Sequence, residues 1–397
     1  MFDCSEIRLD FPILKTGIIY LDSAASSLTP EPVLEKMSEF YHNYRANVER
    51  GVHKLSKKAS EEYDDAHRKI ANFINAEFEE IAFTKNTTES INIIANGLDW
   101  KRGDKIVTSL IEHHSNFIVW LRLREKFGVE VEVVKPDYDG IFDLRSFEEV
   151  IDDRTKLVAM THVSNGLGVI TPVQKVAKLA HDYNALFLVD GAQSVPHMKV
   201  DVKDVGCDFL AFSGHKMLGP TGIGVLYLKS DVIERVEPHC IGGGTISKVT
   251  SKYYKLRGGS GKFEAGTPAI AEAVGLSCAV EYLERIGFQD IVSYEKVLTR
   301  KMCSGLRRIA GVEVYGPNDD EKRIGIAPFN IDKMSPHDVA LALDASANII
   351  VRSGHHCAMP LMNELLKKPE GCVRASLYLY NTENEVEKLL STVQDIV

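Results

Sequence analysis

The stretch Leu186-Phe-Leu-Val-Asp-Gly-Ala-Gln193 decides the fold. It is a short β-rich run that breaks off in polar and small residues, and it has company. Similar runs occupy residues 81–84, 105–110, 129–134, 157–161, 209–213 and 224–228, with stretches of helical spacing such as 115–127 and 173–183 between them. From about residue 80 to 230 this alternation predicts βαβ units around a mostly parallel sheet of seven strands. After about residue 265 the texture changes. Residues 269–286, 289–309, 336–345 and 383–396 read as amphipathic helices, and 312–315 and 324–330 as strands, an α+β appendage on the larger α/β domain. The expected division is an N-terminal segment 1–20, a large domain 21–265 and a small domain 266–397. Arg257-Gly-Gly-Ser-Gly-Lys262, near the join, reads as a flexible loop.

Composition narrows the function classes. The 397 residues carry 47 Lys+Arg against 56 Asp+Glu, a net charge of 47 − 56 = −9, so neither nucleic acid nor an anionic membrane surface is the expected partner. The first residues, Met-Phe-Asp-Cys-Ser-Glu, do not read as a secretory signal, and no apolar run has the ~18–20 residues that span a bilayer. The expected location is the cytoplasm. Seven cysteines, at 4, 207, 240, 278, 303, 357 and 372, form no C-x-x-C pair and no metal-site spacing. Six read as buried small hydrophobes or bystanders. Cys357 stands apart because it follows the loop-like Arg352-Ser-Gly-His-His.

In an open parallel sheet, ligands bind beyond the carboxyl ends of the strands. Five polar clusters fall there: Asn86-Thr-Thr-Glu-Ser90, Glu112-His-His-Ser-Asn116, Thr161-His-Val-Ser-Asn165, Asp190-Gly-Ala-Gln193 and Ser213-Gly-His-Lys216. Each alone has a bland reading as a helix cap or a structural histidine; their recurrence on one rim points to a site. Its composition points to pyridoxal phosphate. Lys216 beyond a buried strand can form an imine with an aldehyde, and the Asp190 carboxylate can keep a pyridinium nitrogen protonated. Thr87, Thr88, Ser213 and His215 can take a phosphate, His113 can stack on a ring, and Asn165 and Gln193 can bond its oxygen. No G-x-G-x-x-G follows a first strand and no G-x-x-x-x-G-K-[ST] occurs, so dinucleotide and P-loop readings lack their fingerprints.

These clusters, together with Leu21-Asp-Ser-Ala-Ala-Ser26, Gly219-Pro-Thr-Gly222, Phe263-Glu-Ala-Gly-Thr-Pro268, Arg352-Ser-Gly-His-His-Cys-Ala358 and Arg374-Ala-Ser376, closely resemble the cysteine desulfurases of the class V aminotransferase fold. The resemblance is to the SufS-type subgroup that feeds iron–sulfur cluster assembly, and it runs from about residue 8 to the C-terminus. It implies a pyridoxal-phosphate-dependent transferase of fold type I that converts L-cysteine to L-alanine. Lys216 matches the lysine that holds the cofactor and moves the Cα proton, Asp190 the partner of the ring nitrogen, His113 the stacking histidine and Gln193 the residue at the phenolic oxygen. Thr88, Ser213 and His215 match the phosphate cradle, with Thr87 expected beside them. Asn165, Arg374, Arg352 and His53 are expected at the substrate, and Cys357 matches the nucleophile that takes the sulfur. Thr267 matches a residue that reaches the neighbouring subunit's phosphate, so a homodimer is implied. A SufE- or SufU-like acceptor protein or a cluster scaffold would collect the sulfur, because the Cys357 stretch is short.

Two positions depart from the family pattern: Glu49 precedes Arg50-Gly-Val-His53 where relatives often have His or Arg, and Ala358-Met-Pro360 replaces the commoner Ala-Gln-Pro. Which of His355, His356, His113 and Arg352 activates the Cys357 thiol stays open. So does another enzyme of the same fold, such as a selenocysteine lyase. A non-catalytic relative would be expected to lack Lys216, Asp190 or Cys357, and all are present.

Overall fold

A computed structural model describes residues 3–49 and 51–397. Arg50, in the Arg-Gly-Val-His motif, lies outside the described residues. The chain opens with the helix Cys4–Leu9 and a two-residue strand, β1 (Ile19–Tyr20). The main sheet follows: β2 (Ile81–Thr84), β3 (Lys105–Ser109), β4 (Glu130–Val134), β5 (Thr155–Thr161), β6 (Leu186–Asp190), β7 (Phe209–Ser213) and β8 (Gly224–Leu228). Their order is β2-β8-β7-β6-β5-β3-β4, and only the pairs made by β8 are antiparallel. The mostly parallel seven-stranded sheet is the one the sequence predicts.

Its central strands are mostly apolar because helices cover both faces, while the edge strand β4 (Glu-Val-Glu-Val-Val) is only partly buried. Val158, Met160, Phe187, Val189, Leu210 and Phe212 belong to one core, while Leu157, Ala159, Leu186, Leu188, Phe209 and Ala211 belong to another, alternating residue by residue along each strand. A hairpin of β9 (Ile246–Val249) and β10 (Tyr254–Leu256) then projects from the main body. The C-terminal part builds a four-stranded antiparallel sheet from β11 (Val312–Val314), β12 (Ile326–Ile331), β14 (Arg352–Gly354) and β15 (Cys372–Ser376), in the order β11-β12-β15-β14. The short β13 (Ile349–Ile350) leaves this sheet to pair in parallel with β1, joining the two ends of the chain. Phe288–Arg308 and Glu383–Ile396 pack together, the latter started by a capping box in which Thr382 and Glu385 satisfy each other's backbone N–H.

The structure differs from the sequence reading in two places. Residues 257–262 are no loose loop: Gly259–Phe263 forms a 3-10 turn in which Ser260, Lys262 and Phe263 are buried, and Lys262 pairs with Glu234 at 3.2 Å. Phe263, anchored in the second core, holds the glycines in place. The helices Glu31–Glu39 and Lys54–Phe73 had no counterpart in the reading. Ala59, Tyr63, Ala66 and Ile70 form the buried stripe of the second at helical spacing, and Ile270–Ile286 lies against both helices. Among the other six cysteines, Cys207, Cys303 and Cys372 are buried, Cys4 and Cys278 half-buried and Cys240 exposed, which the reading as buried hydrophobes or bystanders allows.

One glycine locks the small sheet around the site. Gly371 has φ +81°, and a Cβ there would stand 2.2 Å from the carbonyl carbon of Gly354 on the neighbouring strand. Gly371→Ala should therefore destabilise the protein by about 2–4 kcal/mol, by backbone strain plus a clash with backbone that cannot turn aside. Chemical denaturation checks this; a midpoint equal to the parent's would refute the close approach.

Candidate active site

Strand ends deliver polar side chains to one cavity of about 260 Å³. Beyond β2, the Asn86 side chain accepts the N–H of Glu89 and starts the helix Thr87–Gly97, whose first turn opens on the cavity. Gly224 at the start of β8 permits this: a Cβ there would lie 2.6 Å from Asn86 Cα. Beyond β3 comes His113, beyond β5 Asn165, and β6 ends on Asp190. Ser213 ends β7, and the 3-10 turn Gly214–Lys216 follows it. Ser213 Oγ accepts the N–H of Thr87 at 2.9 Å and lies 2.7 Å from Thr87 Oγ1, tying the helix start to the sheet. Thr88 Oγ1 lies 2.7 Å from Ser115 Oγ. The small sheet contributes Arg352 and Arg374, and the turn after β14 contributes His356 and Cys357.

The charges in this cavity are set by burial. Lys105 and Lys262 are buried and Lys216 is half-buried. Lys105 pairs with Asp152 at 2.6 Å and Lys262 with Glu234, whereas Lys216 has no hydrogen-bond or ion-pair partner among the described residues. Burial, reinforced by the Arg374 charge, pulls its ammonium down to about 8. Burial also pushes the Asp190 carboxyl up; its Oδ1 accepts the N–H of Ala192 at 3.0 Å. His113 Nδ1 accepts the N–H of Ser115 at 3.1 Å, so the neutral ring carries its proton on Nε2. Burial and then the Lys216 charge pull His113 down to about 3, which keeps it neutral. Beneath it, Glu112 is fully buried and accepts from Ser109 Oγ, Asn116 Nδ2 and Thr161 N, binding the ends of β3 and β5 together.

Arg374 is 2% exposed in β15, the largest buried cation at the cavity. Its Nη1 donates to Asn165 O at 3.0 Å and its Nη2 to Asp22 Oδ1 at 3.1 Å, while Nε is buried without a protein acceptor. A guanidinium with spare donors in a cavity is suited to a carboxylate. Cys357 is exposed at the rim, and both it and His356 have positive φ, 56° and 53°. His356 Nε2 donates to Cys372 O at 3.0 Å, which leaves Nδ1 as a buried lone pair without a partner. His355 Nε2 lies 2.8 Å from Pro369 O on the outside of the turn.

All the sequence-expected site residues line this cavity except two. Thr267 lines a second cavity of about 220 Å³ together with Glu49, Tyr63, Arg257 and Glu264. His53 caps the helix Lys54–Phe73, its Nδ1 accepting the N–H of Ser56 at 3.3 Å; it is exposed and does not line the cavity. Glu49, the departure from the family pattern, makes a two-pronged pair with Arg257 at 2.7 Å on each oxygen. The sequence reading gave no role to Asp22, the partner of Arg374, or to His114, although an acid after the apolar Leu21 and a second histidine beside His113 were visible signals.

The donor set fits pyridoxal phosphate. Gln193 Oε1 is a buried acceptor with no partner, Asp190 and the unpaired Lys216 line the same cavity, and the Thr88 N–H with the Thr87, Thr88 and Ser213 hydroxyls stands at the helix start for a phosphate. The family model for class V aminotransferases matches residues 19–389. The chain belongs to this family. A probable cysteine desulfurase of Pyrococcus abyssi is 48% identical over 99% of this chain and 97% of its own length, and a cysteine desulfurase of Haloferax volcanii is 42% identical over 98% and 96%. The apo structure of a cysteine desulfurase from Thermococcus onnurineus superposes with a TM-score of 0.96 at 48% identity, covering 99% of this chain and 98% of that one. The cysteine desulfurase CsdA of Escherichia coli, in an S-sulfonic acid form, gives 0.91 at 32% identity, covering 100% and 98%. Within the family this chain stands among the cysteine desulfurases.

Proposed function

We propose that this chain is a pyridoxal-phosphate-dependent cysteine desulfurase of the SufS type, working as a cytoplasmic homodimer and passing sulfur to a separate acceptor for iron–sulfur cluster assembly. The observation that carries the reading is the placement of Cys357, Lys216, Asp190 and Arg374 around one cavity. Lys216, Asp190, Gln193, His113, Thr87, Thr88, Ser213 and His215 would hold the cofactor. When bound, it supplies the carbonyl that condenses with the substrate amine and the ring that stores the electron pair released at Cα.

The chain's own residues do the rest. Arg374, with Asn165 beside it, fixes the substrate carboxylate and so aims Cα at the Lys216 amine, which removes the Cα proton and returns protons later. The Cys357 thiolate attacks the substrate sulfur; an S–S bond forms, the Cβ–S bond breaks, and its electron pair stays on carbon, which takes a proton to become alanine. The enzyme is left with a persulfide on Cys357. His113 and His356 are neutral in their surroundings, so the cationic neighbours available to a thiolate are Lys216, Arg352 and Arg374. Thr267 and its cavity lie outside the site of their own chain, which agrees with a homodimer in which this surface meets the partner's phosphate.

Brief incubation with L-cysteine, followed by peptide mass spectrometry, should reveal one added sulfur on the Cys357 peptide and alanine in solution, with turnover rising when a SufE- or SufU-like acceptor is added. Cys357→Ala should lose alanine formation from cysteine by roughly 10²–10⁴-fold yet keep activity on selenocysteine, whose selenium leaves without a thiol nucleophile. Alanine without modification at Cys357 would point instead to a lyase with another sulfur exit.

A further inference from the structure

The turn that carries Cys357 is held in a conformation that side chains resist. Two successive residues with Cβ atoms, His356 and Cys357, both sit in the left-handed region, which persists only where neighbours over-determine it. The neighbours come from the main-sheet side. His114 N donates to Cys357 O at 2.7 Å, Asn165 Nδ2 donates to His356 O at 2.7 Å, and Met359 N donates to His114 Nε2 at 3.0 Å. His114 thus grips the nucleophile's turn on both sides, by its backbone before the cysteine's carbonyl and by its ring after it. The ring bond requires a lone pair on Nε2, hence a neutral imidazole with its proton on Nδ1. Burial and the nearby His355 lower its pKa, which favours that form.

We infer that His114 is the positioning residue of the sulfur-accepting nucleophile: its Nε2, as acceptor of the Met359 N–H, keeps Cys357 in the strained turn that faces the cavity. The inference rests on the desulfurase reading for its catalytic consequence, but the clamp itself does not. Sulfur transfer needs the thiolate in line with the substrate Cβ–S bond, whereas Cα proton removal by Lys216 does not involve Cys357, so loss of the clamp separates the two steps.

His114→Ala and His114→Gln decide it, because the glutamine Oε1 can stand where Nε2 stands and accept the same N–H. In the holoenzyme, hydrogen exchange at the Met359 amide should quicken about tenfold in His114→Ala, the worth of one hydrogen bond, and stay near the parent rate in His114→Gln, with peptides of the main sheet unchanged in both. Persulfide formation on Cys357 should fall about 10–100-fold in His114→Ala and return in His114→Gln, while exchange of the substrate Cα hydrogen with deuterated solvent persists. Equal Met359 exchange in all three proteins, a glutamine variant as slow as alanine, or loss of Cα exchange in step with persulfide formation would each overturn the inference. A parent protein that forms no persulfide would overturn the desulfurase reading instead, and the Met359 amide alone would then decide the clamp.

Discussion

In a Lys216→Ala variant, alanine formation from L-cysteine should fall by roughly 10³–10⁴-fold, the upper part of the range for removing a positioned proton-transfer group. The covalent attachment of the cofactor should vanish with it. Lys216 is singled out by what it lacks: Lys105 and Lys262 are also withdrawn from solvent, but each ammonium is committed to a carboxylate. A buried amine without a counter-ion is shifted toward its neutral, nucleophilic form, and here burial brings it to about 8. Borohydride treatment of the parent holoenzyme followed by peptide mapping should mark the Lys216 peptide. Cofactor label on another lysine, or a variant that turns over normally, would remove Lys216 from its place in the reaction.

Arg374→Met should lower kcat/KM for L-cysteine by about 10²–10³-fold, mostly through KM, since a charge-assisted contact to the carboxylate is lost. It should also destabilise the protein by about 3–5 kcal/mol, because Asp22 would be left half-buried without its cation. The paired variant Asp22→Asn with Arg374→Met separates these effects. Removing both charges should restore much of the stability, as the two positions share one interaction, and restore none of the substrate affinity. Recovery of affinity in the double variant would mean that Arg374 serves the fold and some other group binds the carboxylate.

The large sheet was legible because each of its strands is a β-rich run ended by polar residues, and the rule that ligands sit beyond strand ends led from Asp190 and Ser213 to the cavity. Arg374 and Cys357 were not legible in that way. Their partners are set by a small antiparallel sheet, and only the resemblance to desulfurases assigned them, although an arginine inside the buried run Cys372-Val-Arg-Ala-Ser376 was a signal of its own. The pairing of β1 with β13 had none, since two-residue strands carry no periodicity. The Gly/Ser-rich stretch misled because glycine content marks turns as well as freedom, and Phe263 decided which. His53 does not line the cavity of its own chain, and a resemblance over a loop does not say which chain's cavity the loop serves.

The junction of β1 with β13 has a consequence for how the enzyme is made. Ile19 and Tyr20 wait for residues 349 and 350, Asp22 waits for Arg374, and Ala24 O receives Gln193 Nε2 beside the cavity. During synthesis the main sheet has all its strands once Leu228 has emerged from the ribosome, yet the floor of the cavity stays unsecured until about the last fifty residues follow. A ribosome-bound chain halted before β13 can therefore fold its sheet but cannot close its site. Binding of the substrate carboxylate by Arg374 and acceptance of sulfur by Cys357 belong after release of the finished chain.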